Sequence, residues 1–259
     1  MPATRDGKTW RCQFYYEDWQ GYAPTYLKSI NNQLAALFNY AVRYYDLNDN
    51  SCRKAGSIGK SKADDMEFWT KQEFKQFLSS MDKKPEARMA FMLLYWTGMR
   101  IGELLALTYE DIDLEKRIIS ISKSYQRLGG KDVITPPKTP KSNRKITIPP
   151  FLVEELKEYC SHLYGIMPNE RMFRFTKSYM EHEIIRGVKE TGVKRIRIHD
   201  LRHSHASLLV ELGFQPLAIA ERLGHEKIET TLNTYSHLYP NKQAELADRL
   251  ELENEEDEL

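Results

Sequence analysis

The stretch with the densest concentration of chemically useful side chains is IHDLRHSHASLLVELG, residues 198–213. On a helix, His199, Arg202 and His203 fall at positions i, i+3 and i+4 and therefore share one face. A face that presents two imidazoles beside a guanidinium can bind an anion, or a metal ion if further ligands join it. The chemistry of this face therefore depends on what other elements bring to it.

A metal site is the first hypothesis to weigh for this face. HDLRH has the His-x-x-x-His spacing of zinc-binding helices, with Asp200 where such helices carry a catalytic glutamate. Arg202 opposes this reading because it would place a permanent positive charge beside the cation. A zinc hydrolase remains the minor hypothesis, and structural, hydrogen-bonded histidines are a second alternative. We predict no metal ion and no cofactor.

Three further candidates lie at the ends of predicted helices. Arg100 follows a glycine in TGMRIGELLAL, His225 follows Gly224 in LGH, and Tyr235 lies ten residues later in TTLNTYSHLYP. Each has a plainer explanation when it is taken alone: Arg100 can pair with Glu103 at i+3, and the chain has fifteen tyrosines. The candidates gain weight only as a set, in which guanidinium and imidazole groups bind an anion next to a phenol.

Charge is distributed unevenly although the formal net charge is only +1. Residues 116–145 contain nine Lys or Arg and a single acid, Asp132, whereas residues 241–259 contain eight acids and two basic residues. The middle of the chain can therefore contact a polyanion, and the C-terminal segment cannot.

The N-terminal third predicts a small β element and one long helix. Apolar residues alternate over 8–16, as in a strand, and recur at helical spacing over 25–46. The segment 48–65 has no periodicity and is predicted to be a linker. The N-terminus lacks an apolar leader, and the longest apolar run, AFMLLYW (90–96), is too short to span a bilayer. With three cysteines and no C-x-x-C pair, the chain is expected in a reducing cytoplasm.

The remainder predicts a mainly α domain that carries a small antiparallel β-sheet, an α+β fold. A capping box, TKQE (70–73), opens the first helix. Three short strands, RIISI (117–121), DVITP (132–136) and RKITIP (144–149), are expected in hairpin succession around a Gly-Gly turn. The predicted helices cover 71–80, 87–98, 101–107, 151–164, 177–191, 199–212, 216–223, 229–236 and 241–252.

Five motifs in one order resemble a known family. TGMRIGELLAL, PPKTPKSNRKITIPP, HDLRHSHAS, LGH and TLNTYSHLYP are similar to the motifs of the tyrosine recombinases, the phage integrase family, and most closely to integrases of conjugative transposons, over residues 69–240. Five ordered motifs are far more specific than any one of them. The resemblance implies site-specific cutting and rejoining of DNA strands through a 3′-phosphotyrosyl intermediate, for excision and insertion of a mobile element, without metal or cofactor.

The resemblance also implies a set of catalytic residues. Matched motif by motif, these are Arg100, Lys138, His199, Arg202, His225 and the nucleophile Tyr235. The neighbouring Lys141 is the alternative to Lys138.

Physical chemistry agrees with each of these roles. Fork-shaped guanidinium donors such as Arg100 and Arg202 neutralise the charge that develops on the non-bridging oxygens of a phosphodiester. A phenol is a poor nucleophile at neutral pH and needs a neighbouring imidazole. His199 is the expected base, His225 the expected phosphate donor, and Lys138 the expected acid for the leaving oxygen.

The resemblance further implies DNA as the partner of the basic region. The side chains expected to contact DNA phosphates are Lys123, Arg127, Lys131, Lys141, Arg144 and Lys145. The expected partners are double-stranded DNA at attachment or transposon-end sites, a homo-tetramer formed by exchange of the C-terminal helix, and accessory DNA-bending proteins, with no membrane. A C-terminal segment docked on its own chain is the alternative to exchange. The expected location is the bacterial cytoplasm, in association with the nucleoid.

The N-terminal part departs from the family pattern. Residues 1–21 resemble the opening strands of an arm-binding domain, 22–62 resemble a later helix of a core-binding domain followed by a linker, and 63–259 form the predicted catalytic domain. The first two modules are therefore interpreted as truncated and fused at Gly21–Tyr22. This departure supports one alternative function, a truncated and catalytically impaired DNA-binding form of such an integrase.

Overall fold

The computed structural model describes residues 4–6, 9–11, 21–61, 67–137, 139–162 and 167–239, with only the backbone at 4–6, 9–11 and 237. The chain divides into two units, Met1–Met66 and Glu67–Leu259. Lys138, the predicted helix 241–252 and the end of the predicted strand 8–16 lie outside the described residues.

In the first unit, the described residues form two short paired strands and two helices. Strands β1 (Thr4–Asp6) and β2 (Thr9–Arg11) pair antiparallel, and helices α1 (Pro24–Tyr44) and α2 (Ser51–Ala55) follow. Asn50 accepts a hydrogen bond from the backbone N–H of Cys52 at the start of α2, and its amide donates to Ala35 and Asn39 of α1. Helix α2 lies in the segment predicted to be a linker, because a helix of five residues is too short to show periodicity.

Eight helices and five strands make up the described part of the second unit. The helices are α3 (Lys71–Leu78), α4 (Pro85–Thr97), α5 (Ile101–Ala106), α6 (Pro150–Ser161), α7 (Lys177–Thr191), α8 (Asp200–Glu211), α9 (Pro216–Leu223) and α10 (Ile228–Tyr235). Helix α3 begins at the predicted capping box, in which Thr70 and Glu73 each accept a hydrogen bond from the backbone N–H of the other. The predicted fold class, mainly α with small antiparallel sheets, is confirmed.

The strands are β3 (Ile112–Asp113), β4 (Ile118–Ile121), β5 (Ser124–Leu128), β6 (Lys131–Thr135) and β7 (Arg144–Thr147). They form two antiparallel sheets, one in the order β3-β4-β7 and one of β5 with β6. The prediction of three strands in hairpin succession was wrong, because β4 pairs with β7 and because β5 was missed. The sequence of β5, SYQRL, is mostly exposed and polar, and it becomes a strand by pairing with β6 across the Gly129-Gly130 turn. Both glycines have positive φ, which a two-residue hairpin of this type requires.

The core of the second unit is organised around α4, nine of whose residues are buried. Tyr95 of this helix stacks on Phe74 of α3 with ring centroids 3.9 Å apart. Gly98 ends α4 with φ +68°, and a Cβ at this position would lie 2.6 Å from His205 of α8 and 2.7 Å from Leu223 of α9. The close approach of three elements at Gly98 is therefore possible only for glycine.

A smaller apolar cluster joins α8, α9 and α10. Its buried members are Ala206, Val210, Ile219, Leu223 and Tyr235. Across the described ranges, no helix combines the length and the apolar character that crossing a lipid bilayer requires.

Candidate active site

The guanidinium of Arg202 is buried between the ends of two helices. Its Nη1 donates to the carbonyl of Gly98, just after α4, at 2.8 Å, and its Nη2 donates to the carbonyl of Leu223, the last residue of α9, at 2.5 Å. The residue is only 4% exposed. Burial, together with the positive charges of Arg100 and Arg144, lowers the pKa of Arg202 to about 9. The side chain therefore still carries its charge at neutral pH, at a fixed position.

A buried carboxylate connects two further arginines. Glu103 of α5 accepts from the backbone N–H of Arg100 at 2.8 Å and from its Nη1 at 2.9 Å. The same carboxylate accepts two bonds from the guanidinium of Arg144, at 2.9 and 3.1 Å. Burial raises the pKa of Glu103, but hydrogen bonds and charge from Arg144 outweigh it, so the pKa lies below its ordinary value. An ionised Glu103 thus fixes both guanidinium groups.

Arg144, one of the side chains expected to contact DNA, is engaged by partners within the protein. Its side chain is only 6% exposed, and its Nε donates to the carbonyl of Arg222 at 2.9 Å. Lys123, another of these predicted side chains, also has partners within the protein. Its ammonium is partly buried and bonds the hydroxyl of Thr108 at 3.0 Å and the carboxylate of Asp111 at 2.9 Å. From composition alone, the charges of Arg144 and Lys123 were expected at the surface. In the structure, both are bonded to groups within the protein.

A cavity of about 330 Å³ lies beside these arginines. Arg100, Lys123 and His225 contribute basic groups to its lining. Nδ1 of His225 lies 2.7 Å from the hydroxyl of Thr231, so Nε2 is the ring nitrogen left for a ligand. Burial and the positive charges of the nearby arginines lower the pKa of His225 to about 4. A neutral His225 can donate one hydrogen bond from Nε2 when Nδ1 accepts from the threonine.

The hydroxyl of Tyr235 faces a different histidine from the one expected. Tyr235, the last residue of α10, is 3% exposed, and its Oη lies 2.6 Å from Nδ1 of His203. His199 contacts His203 edge-on, with ring centroids 5.2 Å apart. Burial raises the pKa of Tyr235 above its ordinary value. The set of catalytic residues implied by the resemblance does not include His203, although its place on the same helix face as His199 and Arg202 was a usable signal.

The other basic residues predicted in the strand region differ in their placement. Lys138 lies outside the described residues. The ammonium of Lys141 donates to the carbonyl of Glu226 at 3.1 Å, next to His225. Arg127, Lys131 and Lys145 are exposed on β5, β6 and β7.

The base of the β5–β6 hairpin is fixed to α5 although its tip is exposed. The guanidinium of Arg171 lies over the ring of Tyr125 at 4.3 Å and donates to the carbonyl of Leu105 in α5 at 3.2 Å. Asp132 accepts from Tyr125 at 2.7 Å and from Arg171 at 3.3 Å. The hairpin that leads toward Lys138 therefore has an anchored base beside Arg100.

Among the described residues, no further ligand for a zinc ion joins His199 and His203. Over the ranges that the structure describes, no three His, Cys, Asp or Glu side chains converge as a metal site would require. Nδ1 of His203 is directed at Tyr235 instead.

One protein family matches most of the second unit. The sequence profile of the Phage integrase family matches residues 67–242, and the chain belongs to this family, that of the tyrosine recombinases.

Individual relatives agree with this assignment. The ICEBs1 integrase of Bacillus subtilis (strain 168) is 36% identical over 244 residues, an alignment that covers 86% of this chain and 65% of the relative. Transposase A from transposon Tn554 of Staphylococcus aureus (strain Mu50 / ATCC 700699) is 32% identical, over 64% of this chain and 47% of the transposase. The chain thus spans about two thirds of the first relative and about half of the second.

Solved structures show the same fold. The Tn1549 transposon integrase in complex with a circular intermediate DNA superposes with a TM-score of 0.75 at 23% identity, over 92% of this chain and 81% of that chain. A lambda integrase dimer bound to a COC′ core site superposes with a TM-score of 0.58 at 19% identity, over 83% of this chain and 59% of that chain.

Proposed function

We propose that this chain is a site-specific DNA recombinase that cuts and rejoins DNA strands through a 3′-phosphotyrosyl intermediate, for excision and insertion of a mobile element. The proximity of four side chains carries the proposal. Arg100 and His225 line one cavity, and Arg202 lies close enough for its charge to lower the pKa of His225. The positive charge of Arg202 also acts on the phenol of Tyr235, where it partly opposes the rise in pKa that burial causes. Arg100, just before α5, and His225, just after α9, thus line the space proposed for a phosphodiester, and Arg202 of α8 and Tyr235 of α10 lie near them.

The proposed reaction is a transfer of the phosphoryl group to tyrosine. Arg100 and Arg202 bind the non-bridging oxygens, and His225 donates a further hydrogen bond from Nε2. The oxygen of Tyr235 attacks phosphorus as its proton passes to a neighbouring imidazole, and the 5′ oxygen of the next nucleotide leaves with a proton from Lys138, or from Lys141 beside His225. Because the phosphotyrosyl bond replaces the broken DNA linkage, rejoining needs no nucleotide cofactor.

Binding of double-stranded DNA is proposed for the same face. Arg127, Lys131 and Lys145 are exposed on the strands that adjoin the cavity and can contact phosphates on either side of the cleaved one. The Tn1549 integrase, a relative in fold, was solved with DNA, which supports this part of the proposal. We further propose attachment or transposon-end sites as the DNA target and a tetramer formed by exchange of the segment 241–252. Accessory DNA-bending proteins and a nucleoid location complete the proposal.

The experiment that tests the proposed function traps the covalent intermediate. Nicked duplexes tiled across both ends of the genetic element that encodes the chain lose a short strand after cleavage, so the protein–DNA adduct accumulates. The wild-type chain should form this adduct, and Tyr235→Phe should not. Tyr239→Phe is the matched control, because this nearby hydroxyl donates only to the carbonyl of Phe214 in the described structure and should not affect the adduct.

Each other outcome has a definite meaning. An adduct that survives in Tyr235→Phe would refute the assignment of the nucleophile. DNA binding without an adduct in the wild type would favour the alternative, a catalytically impaired DNA-binding form.

A further inference from the structure

The contact between Tyr235 and His203 joins the proposed nucleophile to an imidazole that the family motifs did not single out. At 2.6 Å, the separation of Oη and Nδ1 is that of a hydrogen bond. His203 lies in α8 and Tyr235 ends α10, and both helices pack in the same apolar cluster. The reactive oxygen is thus held against a basic nitrogen where little water has access.

The positions of the two neighbouring histidines distinguish them as candidate bases. In the described part of the chain, the hydroxyl of Tyr235 is hydrogen-bonded to His203 and not to His199. His199 is exposed, precedes α8 and meets the edge of the His203 ring at an interplanar angle of 84°. His203 therefore stands between His199 and the phenol.

We infer that His203 is the catalytic base of the strand cleavage proposed above, and the inference rests on that proposed function. The O–H bond of Tyr235 breaks and its proton passes to Nδ1 of His203, which requires the tautomer with hydrogen on Nε2. The phenol oxygen forms a bond to phosphorus while the bond from phosphorus to the 5′ oxygen breaks. The leaving oxygen takes a proton from the lysine acid, and His203 returns its own proton when the strand is rejoined.

The electrostatic surroundings of His203 suit this role. The charged or titratable groups that face it, besides the phenol on α10, include Arg197, His199, Asp200, Arg202 and, from the turn after α9, His225. Burial first, and then His199 and the two arginines, lower the pKa of His203 to about 4, so the imidazole is neutral at neutral pH and can accept a proton. The negative charge of a phosphodiester bound to the arginines opposes this shift, so proton transfer becomes more favourable once DNA is bound.

The test separates proton transfer from hydrogen bonding. In His203→Asn the side-chain oxygen can take the place of Nδ1 as acceptor, but it cannot take up a proton. We expect single-turnover cleavage of a duplex that the wild type cleaves to slow by about 10²- to 10⁴-fold, with unchanged DNA binding. Circular dichroism confirms that the variant is folded.

The pH profile supplies a measurement that a purely structural role would not change. A 5′-phosphorothiolate at the cleaved position makes the leaving group independent of a proton, so the lysine acid no longer contributes. Between about pH 6 and 8 the wild-type rate should then be nearly flat, because His203 is neutral throughout. The rate of His203→Asn should rise about tenfold per pH unit, because attack then requires the small phenolate fraction. His199→Asn, the matched variant, should slow cleavage and keep the flat profile.

Two results would overturn the inference and leave the proposed function intact. They are a His203→Asn variant as fast as the wild type, and a slower variant with the flat profile, which would make His203 a positioning residue. A wild-type chain that forms no adduct on any duplex would overturn the proposed function itself, and the inference with it.

Discussion

The two halves of the site are held by different kinds of interaction. The arginine half (Arg100, Glu103, Arg144 and Arg202) is fixed by ion pairs and by hydrogen bonds to helix-end carbonyls, next to the large core around α4. The tyrosine half (α9 and α10 with Tyr235) rests on a smaller cluster, with five buried residues in the described part of the chain. The difference indicates that the charges proposed to bind phosphate are rigid, whereas the proposed nucleophile lies on an element that can move at low free-energy cost.

The largest effect is expected from breaking the arginine half at its centre. Glu103→Gln keeps the shape of the side chain but leaves the buried guanidinium of Arg144 without a counter-charge, which costs about 3–5 kcal/mol of the free energy of unfolding. Urea denaturation measures this loss. Glu154→Gln is the control, because Glu154 makes an exposed pair with Lys157, and its loss should change the free energy of unfolding by less than about 0.5 kcal/mol.

The same variant has a predicted pH signature. The pKa of Glu103 in the folded protein lies below its ordinary value of 4.5. Its ionised form therefore contributes stability above that value, and the contribution is lost as the pH falls through the lower, folded-state pKa. The gap in stability between wild type and Glu103→Gln should narrow in acid. A gap of constant size would show that the pKa of Glu103 is the same in the folded and unfolded chains, contrary to this prediction.

A smaller and more local effect is expected in the tyrosine half. Ile219→Ala removes a fully buried side chain from the small cluster and should cost about 2–4 kcal/mol of local stability. Hydrogen exchange should show faster opening of α9 and α10, while α4 keeps its protection. Leu94→Ala in the large core is the comparison, and it should lower the protection of the whole unit. Equal loss of protection throughout after both substitutions would contradict the idea of two separable halves.

The smallest effect on stability is expected on the β5–β6 hairpin. Arg127→Ala and Lys131→Ala remove exposed charges and should change the free energy of unfolding by less than about 0.5 kcal/mol. Each should reduce the slope of log affinity for DNA against log salt by about 1. Lys157→Ala, an exposed lysine of α6, tests whether any surface charge has this effect. A slope unchanged in the hairpin variants would remove this surface from the proposed DNA contact.

Local sequence was sufficient where a single residue or a short repeat fixes the backbone. The capping box at Thr70, the helix stop at Gly98 and the helical spacing of the later segments predicted most helices of the second unit. The order of the motifs along the chain also identified the family, since five motifs in one order are far more specific than any single motif.

Side-chain partners, in contrast, were decided by the tertiary structure. Arg144 and Lys131 have the same charge in the same basic region, yet one is bonded to Glu103 inside the site and the other is exposed. The pairing of β4 with β7 and the contact of Tyr235 with His203 likewise join residues distant in sequence. The sequence by itself determined which chemical groups are present and which local elements carry them. Only packing decided which groups are desolvated and which meet, because burial and approach depend on the whole chain.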